Sequence, residues 1–136
     1  MIINELDYFG LWQNHPDVTP AIRENARTLL ARVNALLALA EKQGVKLKRN
    51  GVTGSYVSGA KYGGFRPQCC TQGAPLSSHK VGRGVDIYDP DNALDNWLTD
   101  ALLTAIDLYR EHPDDTDGWC HLTDRAPGSK KRTFKP

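Results

Sequence analysis

The sequence predicts an α+β domain, and three observations predict it. Apolar residues recur at helical spacing from Ile22 to Ala40, and again from Leu94 to Tyr109. Between and after these runs lie short alternating segments of strand type. The resulting order is helix, strands, helix, strand. At 136 residues the chain suits one domain with one modest core. Twelve glycines and eight prolines favour a loop-rich mixed chain over a helical bundle.

Residues 1–18 read as an N-terminal extension. Thr19-Pro20 reads as a helix cap followed by proline in the first turn. The helix then carries Ile22, Ala26, Leu29, Leu30, Val33, Leu36, Leu37 and Ala40 on one face, and Gly44 is its expected stop. "VTGSYVSG" is expected as a short strand, and the Gly- and Pro-punctuated "KYGGFRPQCC" as loop. "VDIYD" reads as a strand. A second amphipathic helix is expected over Leu94, Trp97, Leu98, Ala101, Leu102, Ala105, Ile106 and Tyr109, capped by Asp91 or Asn92. "EHPDDTDG" is a polar turn, "WCHLT" a short strand, and "RTFKP" a final edge strand within the basic tail 128–136.

Several function classes are excluded at this level. A formal net charge of +1 leaves no basic excess for nucleic acid. No stretch is long and apolar enough to span a bilayer, and the N-terminus does not read as a signal peptide. The expectation is a monomer, made and kept in the cytoplasm unless another factor releases it. Three cysteines, two of them adjacent, argue against a disulfide framework. His15 and His112 each precede proline and read as loop residues. Adjacent Cys69 and Cys70 cannot easily meet one tetrahedral ion, and read as loop or partly buried thiols.

The stretch "SSHKVGRGVDIYDP", residues 77–90, carries the chemistry. On a strand, Val85 and Ile87 share one face and Asp86 and Tyr88 the other. A carboxylate there is costly if buried alone, and sensible if its face lines a cleft holding a cation. Gly82 and Gly84 allow a tight turn that folds His79 back beside Asp86. One nitrogen and one oxygen ligand suit zinc. In "GWCHLT", Trp119 and His121 share a face while Cys120 points the opposite way, into the core. His121 is therefore the third candidate ligand, and two His with one Asp leave a fourth position open, as in catalytic zinc sites. Taken singly, His79 also reads as a loop residue and Asp86 as a turn or ion-pair residue.

The pattern S-x-H-x-x-G-x-G-x-D at Ser77, His79, Gly82, Gly84 and Asp86 resembles the S-x-H-x-x-G-x-A-x-D signature of the zinc D-Ala-D-Ala carboxypeptidases and related peptidoglycan peptidases. W-x-H at Trp119–His121 resembles the family's second signature, "GGFRP" at 63–67 is similar to its S-G-[YF]-R segment, and "WCHLTDRAPGSKKRTFKP" is similar to the C-terminus of short phage and prophage members. The resemblance covers roughly residues 20–136, in the family's order. It implies the Hedgehog/DD-peptidase fold, a small antiparallel sheet packed by helices around an open cleft with one zinc per chain. It implies zinc ligands His79, Asp86 and His121. It implies an Arg66 that pairs with a peptide carboxylate, although a surface arginine is the alternative. Ser77 would hydrogen-bond the substrate, buttress His79, or simply cap the loop. The sequence departs from the family at the general base, where many members carry Glu three residues before the last histidine. Here that position is Gly118, and its neighbour Asp117 becomes the candidate base, with Asp115 next in line; both also read as part of the acidic turn. The implied activity is hydrolysis of peptidoglycan stem peptides, as a carboxypeptidase or an endopeptidase, in a phage lysis setting. A non-catalytic zinc domain that binds wall peptide or serves as a phage structural component is the alternative.

Overall fold

A computed structural model describes residues 2–71 and 76–136. Four helices and a four-stranded sheet form its regular part: α1 (Glu5–Phe9), α2 (Pro20–Lys42), β1 (Gly84–Tyr88), α3 (Ala93–Trp97), α4 (Asp100–Ile106), β2 (Tyr109–Glu111), β3 (Trp119–Thr123) and β4 (Thr133–Phe134). The α+β class is as expected. Among the described residues no helix is long and apolar enough to cross a membrane.

Helix α2 begins where its sequence says it should. The Thr19 hydroxyl accepts from the Ile22 N–H, and Pro20 occupies the first turn, where its missing N–H costs nothing. Ala26, Leu29, Leu30, Val33, Leu36, Leu37 and Ala40 are buried along one face. They join one cluster with Ile3, Tyr8 and Phe9 from the N-terminal segment and with Val85, Ile87, Cys120 and Leu122 from the sheet. The first 18 residues thus contribute to the core. Asn4 and Asp7 close a reciprocal capping box on α1, and the Asn34 side chain both accepts from Ile3 N–H and donates to Ile3 C=O, pinning the segment to α2.

Strand order is β1-β3-β2-β4. Strand β3 runs antiparallel to both β1 and β2, whereas β4 lies parallel to β2, so the sheet is mixed rather than wholly antiparallel. "VTGSYVSG" does not form a strand. It contributes a single bridge, Val57 to Ile87, because Gly54 and Gly59 take left-handed conformations on either side. The Asn50 amide donates to the carbonyls of Val57 and Gly59 in place of a ladder.

The expected second helix is two short ones. Leu98 is extended and Thr99 caps a new start, accepting from Leu102 N–H. The buried Arg110 guanidinium donates to the Asp95 carbonyl at 2.7 Å and to the Leu98 carbonyl at 3.4 Å, satisfying acceptors that the break exposes. Of the two expected residues, Asn92 occupies the N-cap position of α3, but the side-chain bonds come from elsewhere. The Asp89 carboxylate accepts from the N–H groups of Leu94 and Asp95, while Asn92 is left-handed without a capping bond and Asp91 pairs with Lys48. Asp107, also left-handed, ends α4 and turns the chain, so Tyr109 lies in β2 instead of a helix.

Candidate metal centre

One face of the sheet belongs to the core and the other to a cleft of about 620 Å³. Strand alternation sorts the side chains: Val85, Ile87, Cys120 and Leu122 are fully buried, while Asp86, Trp119 and His121 line the cleft. Asp86 and His121 are directly opposed across β1 and β3. His79 arrives from a 3₁₀ turn over Ser78–Val81 that precedes β1. The Ser77 hydroxyl caps that turn, accepting from the His79 N–H at 3.3 Å, and Ser77 also lines the cleft. Gly82 ends the turn with φ +76°, and a Cβ there would stand 2.7 Å from the Ile22 carbonyl oxygen of α2. Gly84 plays a different part from the turn role expected of it. It opens β1, and a Cβ would lie 2.3 Å from the Ser78 hydroxyl and 3.3 Å from the His121 ring.

The three expected ligands converge. His79 Nε2 is 3.3 Å and His121 Nδ1 2.8 Å from the same Asp86 oxygen, Oδ1. One ligand-type atom from each residue lies within 4.8 Å of the others, so the group can hold a metal ion. The donor set fits: two imidazole nitrogens and a carboxylate oxygen, with the remaining side open to the cleft. His79 is oriented for the task. Its Nδ1 is 2.7 Å from the Gly64 carbonyl oxygen, which can only accept, so Nδ1 carries the proton and Nε2 presents its lone pair. Burial pushes the His79 imidazole down in pKa against the opposing pull of Asp86, favouring the neutral ring that a metal requires. Burial by itself would raise the Asp86 carboxyl; the facing His79 and His121 outweigh it and hold the group well below the usual carboxylate range.

Arg66 reaches the cleft, and its Nη2 lies 3.3 Å from Asp86 Oδ2 while Nε donates to the Tyr62 carbonyl. The carboxylate of Asp86 is therefore shared, one oxygen toward the imidazoles and the other toward the guanidinium. The "GGFRP" segment, expected only as loop around Arg66, frames the whole site. Gly63 C=O accepts from Asp86 N–H at 2.7 Å, Gly64 C=O holds His79, Phe65 N–H donates to Tyr8 C=O, and Arg66 N–H donates to His79 C=O.

Asp117 is not brought to the cleft. Its carboxylate accepts from the Asn92 side-chain amide, and the left-handed Gly118 beside it, φ +91°, donates its N–H to Asn92 Oδ1. Asp115 pairs with Lys135 and does not line the cleft either. Among the described residues, the side-chain carboxylate that lines the cleft besides Asp86 is Glu111, which sequence reasoning assigned to the polar turn. Burial raises its carboxyl above the usual carboxylate range, and His121 opposes that rise. The signal was slight: three residues, Tyr109-Arg110-Glu111, make a strand too short to alternate visibly. His15 and His112 lie outside the site, each accepting from a backbone N–H two residues on. Cys69 is exposed, and Cys70 contributes its carbonyl to the buried Lys80 ammonium.

Comparison with models of protein families, with curated proteins and with solved structures finds no match.

Proposed function

We propose that the chain is a zinc-dependent peptidase that hydrolyses peptidoglycan stem peptides, as a D-Ala-D-Ala carboxypeptidase or an endopeptidase. The observation that carries the reading is the convergence of His79, Asp86 and His121 on the floor of an open cleft. The S-x-H-x-x-G-x-G-x-D and W-x-H patterns supply the substrate class, and with it the Hedgehog/DD-peptidase fold. In this reading zinc, when bound, supplies a Lewis acid and lowers the pKa of water. The chain does the rest. His79 and His121 would each offer a ring nitrogen and Asp86 one oxygen, and Arg66 balances its other oxygen while presenting positive charge to the cleft. Trp119 and Phe134 give the cleft an apolar rim suited to a small alkyl side chain. In this reading the protein works as a monomer.

Metal analysis and wall digestion test this together. Wild type is expected to hold one zinc per chain, and His79→Ala and His121→Ala to lose most of it. Full retention in both variants removes the site. Removing zinc by chelation should lower the melting temperature, since the metal ties a turn and two strands together. Mass spectrometry of purified peptidoglycan should show released D-Ala or cleaved stem peptide. Zinc bound with peptidoglycan left intact favours the alternative, a non-catalytic wall-peptide-binding or phage structural domain.

A further inference from the structure

Strand register places a second carboxylate beside the ligands. Tyr109 stands opposite Thr123 and Arg110 opposite Leu122. Extending that register one step along the same antiparallel pair sets Glu111 opposite His121. Asp86 opposes His121 from the other side, and Phe134 opposes Glu111. A single row, Asp86–His121–Glu111–Phe134, therefore crosses all four strands, and directly paired residues share a face. The alternation agrees: Arg110 turns to the opposite side, where it is buried against Asp95, and Glu111 lines the cleft.

We propose that Glu111 is the catalytic residue that carries the proton in the hydrolysis assigned above, a proposal that rests on that reading of the site. Three observations favour it. Glu111 lines the same cleft as Asp86 and His121, and directly opposed Cβ atoms lie about 4.5–5.5 Å apart, within reach of a glutamate side chain. The carboxylate is not one of the group that can ligate a metal, which contains only His79, Asp86 and His121 among the described residues. The Glu111 side chain accepts no hydrogen bond among the described residues, which leaves its oxygens to the cleft it lines. The proton count closes. Water adds its oxygen to the scissile carbonyl carbon and gives one proton to the Glu111 carboxylate. As the C–N bond breaks, Glu111 returns that proton to the leaving nitrogen and is regenerated.

The test uses the zinc-loaded full chain, with acetohydroxamic acid as an equilibrium probe that needs no particular peptide. A hydroxamic acid binds a metal as its anion, and its proton must go to a nearby base. Glu111→Gln should keep zinc affinity within about threefold of wild type and bind acetohydroxamic acid at least about tenfold more weakly, as expected for a lost charge-assisted hydrogen bond. Asp117→Asn should match wild type in both. On peptidoglycan, Glu111→Gln should slow release about 10²–10⁴-fold. Unchanged hydroxamate binding in Glu111→Gln overturns the proposal, and so does loss of zinc, which makes Glu111 a support of the ligands. Should Glu111→Gln not fold, Glu111→Asp decides: it retracts the carboxylate, and wild-type hydroxamate affinity there overturns the proposal. If the hydroxamate results hold while wild type releases nothing from peptidoglycan, the substrate assignment fails and Glu111 keeps its role.

Discussion

Replacing Gly64 by alanine places a methyl carbon 2.0 Å from the Tyr8 carbonyl oxygen and 2.9 Å from its carbon. Both are backbone atoms, so no side chain can swing aside. Reaching ordinary contact requires a shift of more than about 1 Å between the 63–66 segment and α1. That shift strikes two bonds at once: Phe65 N–H to Tyr8 C=O at 3.1 Å, and His79 Nδ1–H to Gly64 C=O at 2.7 Å. Overpacking costs about 1–3 kcal/mol and a lost hydrogen bond about 1 kcal/mol more. For a chain of this length the melting temperature should fall on the order of 10 °C. Zinc affinity should drop about 10–100-fold, because the carbonyl that selects the His79 tautomer has moved. Circular-dichroism melting of the metal-free protein reads the first effect, and competition with a chromophoric chelator reads the second. Gly51→Ala is the control, since a Cβ there meets nothing within 4 Å. A destabilised Gly64→Ala with undiminished zinc affinity would refute the orientation argument. A variant unchanged in both would refute the close approach itself.

Cys120→Ala should keep full zinc affinity and cost roughly 1–2 kcal/mol of stability in urea, because its side chain is fully buried on the core face of β3. In the native protein a thiol reagent should modify exposed Cys69 and spare Cys120, whose thiol burial pushes well up; rapid native labelling of Cys120 would place it wrongly. Burial also raises the Asp95 carboxyl, opposed by Cys120 and Arg110. The folded state then binds the proton more tightly than the unfolded one, so this group's contribution is fullest below the unfolded pKa and is lost as pH rises through the folded pKa. Urea unfolding of the metal-free protein at successive pH values should show that downward component in wild type and not in Asp95→Asn. Equal slopes in the two would refute the assignment.

Helix α2, strands β1 and β3, and the ligand trio were legible in the sequence because each rests on local physics. Thr19-Pro20 caps and starts a helix by short-range hydrogen bonding and a fixed φ. Period-two alternation sends Asp86 and His121 one way and Val85, Ile87 and Cys120 the other, whatever the strands pair with. The break at Leu98–Thr99 was not legible, since the apolar spacing runs through it unbroken. It depends on Arg110 arriving from β2 to take the freed carbonyls. Asp117 looked nearer to the candidate metal centre than it is, because proximity in sequence to His121 says nothing about a turn that Gly118 and Asn92 direct away. Glu111 and Gly64 are the reverse case. Ten residues before His121, Glu111 becomes its neighbour through a strand pairing that no local pattern encodes, and Gly64 meets Tyr8 and His79 only when three distant segments pack together. Residue chemistry and periodicity determined which side chains can ligate. Tertiary pairing decided which carboxylate stands beside them and which backbone carbonyl aims them, because those contacts exist only after the chain has paid the entropy of bringing remote segments together.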